Sequence, residues 1–139
     1  MNVPFLDLKS QYLDIKEEID RAIASVLEAG FFVGGKQVVE FEKSFSRLYD
    51  IKNCIAVGNG TDALFAILKS MDIHANDEVI TPAWSWISTS ETISLAGGKP
   101  VFADVDPTLY TLHPDAIERR ITSRTKAVVA VHLYGQAAP

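Results

Sequence analysis

The sequence predicts an α/β fold, a mainly parallel sheet with helices on both faces in three layers. Two observations predict it. In the second part of the chain, short apolar runs of strand length alternate with segments of helical length. Strands joined in this way run parallel through right-handed crossovers, and such apolar strands are covered on both faces. Glycine, proline and aspartate mark the connections, as turns require.

The chain begins with two predicted helices. Apolar residues recur at helical spacing from Tyr12 to Leu27, which predicts one amphipathic helix, and Gly30 is its natural stop. A second helix is predicted from about residue 36 to 48. The loop between them, 31–35, places two aromatic residues before paired glycines, and we expect another subunit to cover this apolar surface.

The alternating part begins after Asn53. Its predicted elements are, in order, strand 54–57, helix 61–70, strand 79–81, helix 85–96, strand 101–103, helix 114–121 and strand 127–131. We therefore divide the chain into an N-terminal helical segment with a dimer-contact loop, 1–52, and the first half of an α/β domain, 53–139.

Composition excludes several functional classes. The 139 residues are 47% apolar and 22% charged, as in a soluble globular domain, and the net charge of −5 offers no basic face for nucleic acid. The single cysteine, Cys54, is expected to be a small core residue in a reducing compartment. Acidic residues interrupt any signal-like run near the N-terminus, and no window approaches the ~20 apolar residues of a membrane span, so we expect a cytoplasmic protein.

A glycine-containing turn follows the first predicted strand and opens a helix. The first amides of a helix have no intrahelical partner, so Gly60, Thr61 and Asp62 are candidates for binding a phosphate through N–H groups, and the Thr61 hydroxyl adds a donor. The Asp62 carboxylate would repel an anion, so we expect its side chain to turn away. The alternative is a tight turn in which Thr61 or Asp62 caps the helix.

Two tryptophans follow the next predicted strand. In open parallel sheets ligands lie beyond the carboxyl ends of the strands, where we expect four segments to meet: 58–62, 82–86, 104–106 and 132–136. Trp84 and Trp86 fall in this group, and either indole suits stacking on a flat ring or packing in a core or interface. A flat phosphorylated cofactor explains both the turn and the tryptophans.

The remaining polar candidates are weaker. Asp104 and Asp106 precede a proline and are interpreted as turn formers rather than acid–base groups or metal ligands. His132 lies at the end of a predicted strand and is interpreted as a core or supporting residue rather than a catalytic one. His74 and His113 are expected at the surface, and no histidine, cysteine or carboxylate cluster has metal-ligand spacing.

Seven segments, taken in order, resemble the nucleotide-sugar aminotransferases of the DegT/DnrJ/StrS type. They are VPFLDL (3–8), GG (34–35), FE (41–42), VGNGTDAL (57–64), TPAWSW (81–86), FADVD (102–106) and VHLYGQ (131–136). The resemblance implies the N-terminal part of the large domain of a fold-type I, aspartate-aminotransferase-like enzyme. It also implies pyridoxal 5'-phosphate as cofactor.

The resemblance assigns roles to individual residues. It implies that Gly60, Thr61 and Asp62 bind the cofactor phosphate, that Trp86 stacks on the pyridine ring, and that Trp84 is a wall or packing residue. It further implies a homodimer that transfers an amino group, usually from glutamate, to a nucleotide-linked keto-sugar. Such chemistry belongs to amino-sugar biosynthesis for surface polysaccharides or glycosylated metabolites.

Two residues that the family requires are expected beyond Pro139. These are the Schiff-base lysine and the aspartate that pairs with the pyridine nitrogen, so we predict no catalytic residue in this chain and no transamination by it alone. Two alternatives stay open: a non-catalytic α/β binding or regulatory module, and another fold-type I enzyme such as a lyase or dehydratase.

Overall fold

The structure is a computed structural model that describes residues 3–139. The chain forms two compact units. The first unit ends at Ala56 and the second begins at Val57. No helix among residues 3–139 is long and apolar enough to cross a membrane.

The described part of the first unit, residues 3–56, contains three helices: α1 (Leu8–Asp14), α2 (Lys16–Ala29) and α3 (Lys36–Leu48). The bounds of α3 agree with the prediction. The single helix predicted over 12–27 is wrong, because the backbone leaves the helical region at Ile15, with φ −119° and ψ 17°. Gly30 does end α2, in the left-handed conformation (φ 68°) that glycine adopts without steric cost.

The second unit contains three helices, α4 (Gly60–Ser70), α5 (Ser88–Ala96) and α6 (Pro114–Glu118), and three strands, β1 (Glu78–Pro82), β2 (Lys99–Ala103) and β3 (Thr125–Val128). The strands form a parallel sheet in the order β2-β1-β3. In the register, Ile80 of the central strand pairs with Val101 on one side and Val128 on the other. A 3-10 turn, Leu133–Gly135, follows the last strand.

Adjacent residues of β1 supply two separate cores. Val79 packs with residues of α4 and α5, whereas Ile80 packs with α6 and β2, because successive strand side chains point to opposite faces. The first core comprises Leu68, Ile73, Val79, Ile93 and Ala96, and the second comprises Ile80, Ala103, Leu112 and Ala116. Helices therefore cover both faces of a parallel sheet, which confirms the predicted fold class.

The predicted strand 54–57 is not formed. Among residues 3–139 these residues have no ladder partner, and the Ala56 N–H donates instead to the Glu42 carboxylate (2.8 Å). Ile55 is 80% exposed and Cys54 only partly buried, so the expected core position of Cys54 is also wrong. An apolar run becomes a strand only when a neighbour supplies hydrogen bonds, and sequence pattern alone does not show that neighbour.

A buried carboxylate joins the strands at the edge opposite the predicted site. Glu78, only 3% exposed, accepts hydrogen bonds from Thr122 Oγ1 (2.6 Å) and from Arg124 Nη2 (2.6 Å). Lys99 Nζ lies 3.9 Å from the same carboxylate. The hydrogen bond from Thr122, then that from Arg124, lowers the pKa of Glu78. These contacts join the N-terminal ends of the three strands.

Candidate cofactor site

Helix α4 begins with a side-chain cap. The backbone of Asn59 is extended (φ −166°, ψ 177°), and its Oδ1 accepts the Asp62 N–H at 2.9 Å. Asn59, rather than Thr61 or Asp62, is therefore the N-cap, so the capping alternative named the wrong residue. The Asp62 amide is occupied by the cap, and the predicted phosphate contact through that amide would require the cap to open.

The Asp62 carboxylate folds back over the turn. Its Oδ2 accepts a hydrogen bond from Asn59 Nδ2 at 3.1 Å. The same oxygen lies against Gly58, where an added Cβ would approach it to 2.7 Å. The carboxylate thus has partners within the turn, and its orientation relative to a ligand stays a prediction.

Two backbone donors at the start of α4 are free. No acceptor within residues 3–139 takes the N–H of Gly60 or Thr61. Gly60 is exposed, and a Cβ built on it meets nothing within 4 Å, so a ligand has room to approach the backbone. Thr61 is half-buried, and its Oγ1 lies 2.8 Å from Ser88 Oγ. The arrangement suits an anion, because N–H groups and the positive end of the helix dipole point outward together.

The two tryptophans line an open cleft of about 320 Å³ beyond the carboxyl end of β1. Residues 83–86 form one wall, and Leu133 and Tyr134 form another. Trp86 is 77% exposed and Trp84 57% exposed, so neither indole is a core residue among residues 3–139. The stacking role of Trp86 stays a prediction.

Three of the four segments that we expected to meet at the carboxyl edge of the sheet are connected by contacts. The cleft joins 83–86 to 133–134, and the Thr61–Ser88 hydroxyl contact joins the glycine turn to the helix that follows Trp86. The loop after β2 contacts a wall of the cleft, because the Tyr110 ring packs edge-to-face on the Tyr134 ring with 6.5 Å between their centroids. Segment 104–106 itself lines no part of the cleft described here.

Asp104 and Asp106 are turn formers, as predicted. Asp106 Oδ1 accepts the N–H groups of Thr108 (2.7 Å) and Leu109 (2.8 Å). The hydrogen bond from Leu109, then that from Thr108, lowers the pKa of Asp106. Asp104 Oδ1 accepts the N–H of the next residue, Val105, at 2.9 Å.

Two of the three histidines accept a backbone N–H with their side chains. His132 is exposed, which rules out a core position, and its Nδ1 accepts the Ala138 N–H at 3.0 Å. His113 Nδ1 accepts the Asp115 N–H at 3.2 Å and so caps α6. His74 is exposed, as expected. Within residues 3–139, no group of three or more histidine, cysteine or carboxylate side chains is arranged to hold a metal ion.

Sequence reasoning missed two residues of this site, Asn59 and Ser88. A signal for Asn59 was present: Asn59 and Asp62 have the spacing of a capping box, in which a capping residue is followed three positions later by an acidic one. Ser88 carried no comparable signal. It lies 27 positions from Thr61, and only the packing of α4 against α5 brings the two hydroxyls together.

A solved DegT/DnrJ/EryC1/StrS aminotransferase from Brucella abortus has the same fold, with a TM-score of 0.93 at 34% identity over 99% of this chain and 39% of that one. Residues 13–139 match the model of the DegT/DnrJ/EryC1/StrS aminotransferase family. The chain belongs to this family.

Relatives and solved structures agree with that assignment. The chain is 43% identical over 136 residues to UDP-2-acetamido-2-deoxy-3-oxo-D-glucuronate aminotransferase of Pseudomonas aeruginosa, covering 98% of this chain and 38% of the relative. It is 43% identical over 135 residues to dTDP-3-amino-3,6-dideoxy-alpha-D-galactopyranose transaminase of Aneurinibacillus thermoaerophilus, covering 97% of this chain and 37% of the relative. The structure of NtdA from Bacillus subtilis with bound cofactor PMP superposes with a TM-score of 0.90 at 36% identity, covering 99% of this chain and 32% of that one. The chain thus spans well under half the length of these proteins.

Proposed function

We propose that this chain is the N-terminal part of a pyridoxal-phosphate-dependent aminotransferase that acts on a nucleotide-linked keto-sugar. The observation that carries the proposal is the open start of α4, where the Gly60 and Thr61 amides are free, on the same unit as the cleft lined by Trp86. Family membership supports the reaction class. The UDP- and dTDP-sugar names of the two relatives support the substrate class.

The residues present fit this cofactor. A phosphate tail needs several donors and close backbone approach, which Gly60 and Thr61 offer through two amides and one hydroxyl. The exposed Trp86 ring offers a flat apolar surface for the pyridine. When bound, the cofactor supplies an electron sink for the carbon that loses or gains the amino group.

The proposal places the Schiff-base lysine and the pyridine-pairing aspartate beyond Pro139. Two of the three lysines of the second unit, Lys69 and Lys99, support this placement by their positions. Lys69 lies in the last turn of α4, about 13 Å along the helix from Gly60 at 1.5 Å per residue, and its Nζ donates to the Ala96 carbonyl. Lys99 lies at the opposite edge of the sheet, near Glu78. On this proposal the chain has no catalytic residue of its own.

We further propose a homodimer that uses glutamate as amino donor in the cytoplasm, in amino-sugar biosynthesis. The loop 31–35 supports the dimer, because Phe31, Phe32 and Val33 are 70%, 69% and 92% exposed. Apolar side chains exposed together in this way are typical of an interface. On this proposal, the helical segment 1–52 supplies the subunit contact. Residues 53–139 supply the first half of the cofactor domain.

The activity is tested with the full-length polypeptide that contains this chain. With pyridoxal 5'-phosphate, glutamate and a UDP-linked 3-keto-sugar, we expect 2-oxoglutarate and the amino-sugar, both detected by mass spectrometry. Cofactor binding without transfer to any keto-sugar would instead favour the non-catalytic module.

The position of the lysine is tested separately. After addition of cofactor and reduction with borohydride, tryptic peptides from residues 1–139 should carry no cofactor mass. A cofactor-modified lysine within these residues, lost when that lysine is replaced by alanine, would show that the chain holds its own anchor.

A further inference from the structure

Ser88 is a buried hydroxyl at the start of a helix. It is the first residue of α5 and is 7% exposed. Its Oγ lies 2.8 Å from Thr61 Oγ1, in the first turn of α4. The first turns of two helices therefore meet through a pair of side-chain hydroxyls.

This contact sets Ser88 apart from the other serines of α5. Ser90 Oγ donates to the Ile87 carbonyl (3.2 Å) and Ser94 Oγ to the Ser90 carbonyl (3.4 Å), so both bond within their own helix. The nearby Ser85 and Thr89 hydroxyls pair with each other at 2.8 Å. Within residues 3–139, Thr61 is the only side-chain partner of the Ser88 hydroxyl.

A bound phosphate fixes the direction of this hydrogen bond. A hydroxyl has one proton to donate and two lone pairs that accept, whereas a phosphate dianion only accepts. If the Thr61 proton goes to the phosphate, Thr61 cannot also donate to Ser88. Ser88 must then donate to Thr61 Oγ1, which polarises the Thr61 hydroxyl and strengthens its bond to the anion.

We propose that Ser88 is a positioning residue for the cofactor phosphate: its hydroxyl donates to Thr61 Oγ1 and holds the Thr61 proton toward the phosphate. The inference rests on the proposed function. It adds α5 to the phosphate site, which the sequence assigned to the start of α4 alone. Ser88 acts through Thr61 and does not itself touch the cofactor.

The test compares two ligands that differ only in the phosphate. Dissociation constants of pyridoxal 5'-phosphate and of pyridoxal are measured by fluorescence titration of the full-length apo-protein, in the native sequence and in Ser88→Ala. We expect Ser88→Ala to weaken pyridoxal phosphate about three- to tenfold, the worth of one hydrogen bond, and to leave pyridoxal unchanged. Ser88→Thr keeps the hydroxyl and should restore affinity. Ser94→Ala, an exposed hydroxyl on the same helix, is the matched control and should change neither constant.

A double-mutant cycle tests whether Ser88 acts through Thr61. In a Thr61→Val background, Ser88→Ala should cause no further loss of pyridoxal phosphate affinity. The phosphorus NMR shift of the bound cofactor should move in Ser88→Ala and not in Ser94→Ala. These readouts do not depend on turnover.

Three outcomes would overturn the inference. Equal weakening of both ligands by Ser88→Ala would show that the contact only ties α4 to α5. An unchanged pyridoxal phosphate affinity in Ser88→Ala, or an undiminished effect in the Thr61→Val background, would show that Ser88 does not orient Thr61. If instead the native protein bound pyridoxal as tightly as pyridoxal phosphate, the proposed phosphate site itself would be wrong.

Discussion

The two units of the chain bury their apolar side chains in opposite ways. No residue of α1, α2 or α3 is buried among the described residues, and apolar side chains of α2 such as Ile23 (54% exposed) and Leu27 (63%) face outward. In the second unit, Val79 and Ile80 are fully buried in two cores. An amphipathic pattern thus marks a face that must be covered, but it does not say whether the chain's own elements cover it. Among the described residues, the first unit therefore leaves its apolar faces uncovered, whereas the second carries its own core.

The largest expected effect is the loss of a core side chain in the second unit. Ile80→Ala removes a fully buried side chain from the central strand and should lower the free energy of unfolding by about 2–5 kcal/mol. Urea unfolding followed by far-UV circular dichroism measures it. Because this core is internal to the unit, the loss should not depend on protein concentration.

Ile23→Ala is the matched change in the first unit. At protein concentrations too low for association it should cost no more than about 0.5 kcal/mol, as for an exposed site. At higher concentrations the loss should grow, because a partner that binds only the folded state adds stability. A large, concentration-independent loss in Ile23→Ala would contradict the contrast between the units.

The next effect concerns how the helices begin. Asn59 caps α4 with its side chain, whereas the N-cap residue of α3, Gly35, makes no side-chain cap. Asn59→Ala should therefore lower the free energy of unfolding by about 1 kcal/mol, read from the urea midpoint. Asn76→Ala removes an exposed asparagine from a turn and should leave the midpoint in place. Equal shifts in the two variants would show that the cap contributes nothing specific.

The sequence predicted what depends on local pattern. Helix α3, the glycine stop of α2 and the alternation of β1, α5 and β2 all follow from spacing and turn chemistry over a few residues. Prediction failed where the outcome depends on a distant neighbour. The run 54–57 lacks a strand beside it in the described chain, and the partner of Thr61 lies 27 positions away.

The smallest expected effect is on the pH dependence of stability and is confined to acidic pH. It is tested on one carboxylate from each unit, Glu78 and Asp20. Hydrogen bonds from Thr122 and Arg124 lower the pKa of Glu78 below 4.5, and those from Lys16 and Tyr12 lower the pKa of Asp20 below 3.8. A folded-state pKa below the unfolded value contributes stability above the unfolded pKa, and that stability is lost as pH falls through the folded pKa. Glu78 should therefore contribute to the loss of stability as the pH falls below 4.5, and Asp20 as it falls below 3.8.

Salt separates the two contributions. The Glu78 side chain is 4% exposed, whereas that of Asp20 is 46% exposed, so ions screen the Asp20–Lys16 pair and hardly reach Glu78. Urea unfolding is measured against pH at low salt and at about 1 M salt, where the Debye length is about 3 Å. Glu78→Gln should flatten the acid decline equally at both salt concentrations, and Asp20→Asn should flatten it more at low salt than at high salt. An acid decline in Glu78→Gln as steep as in the native protein would show that the buried carboxylate does not secure the edge of the sheet. Loss of the Glu78 contribution on adding salt to the native protein would contradict this contrast. It would show that solvent ions reach Glu78 in the second unit as readily as they reach Asp20 on α2.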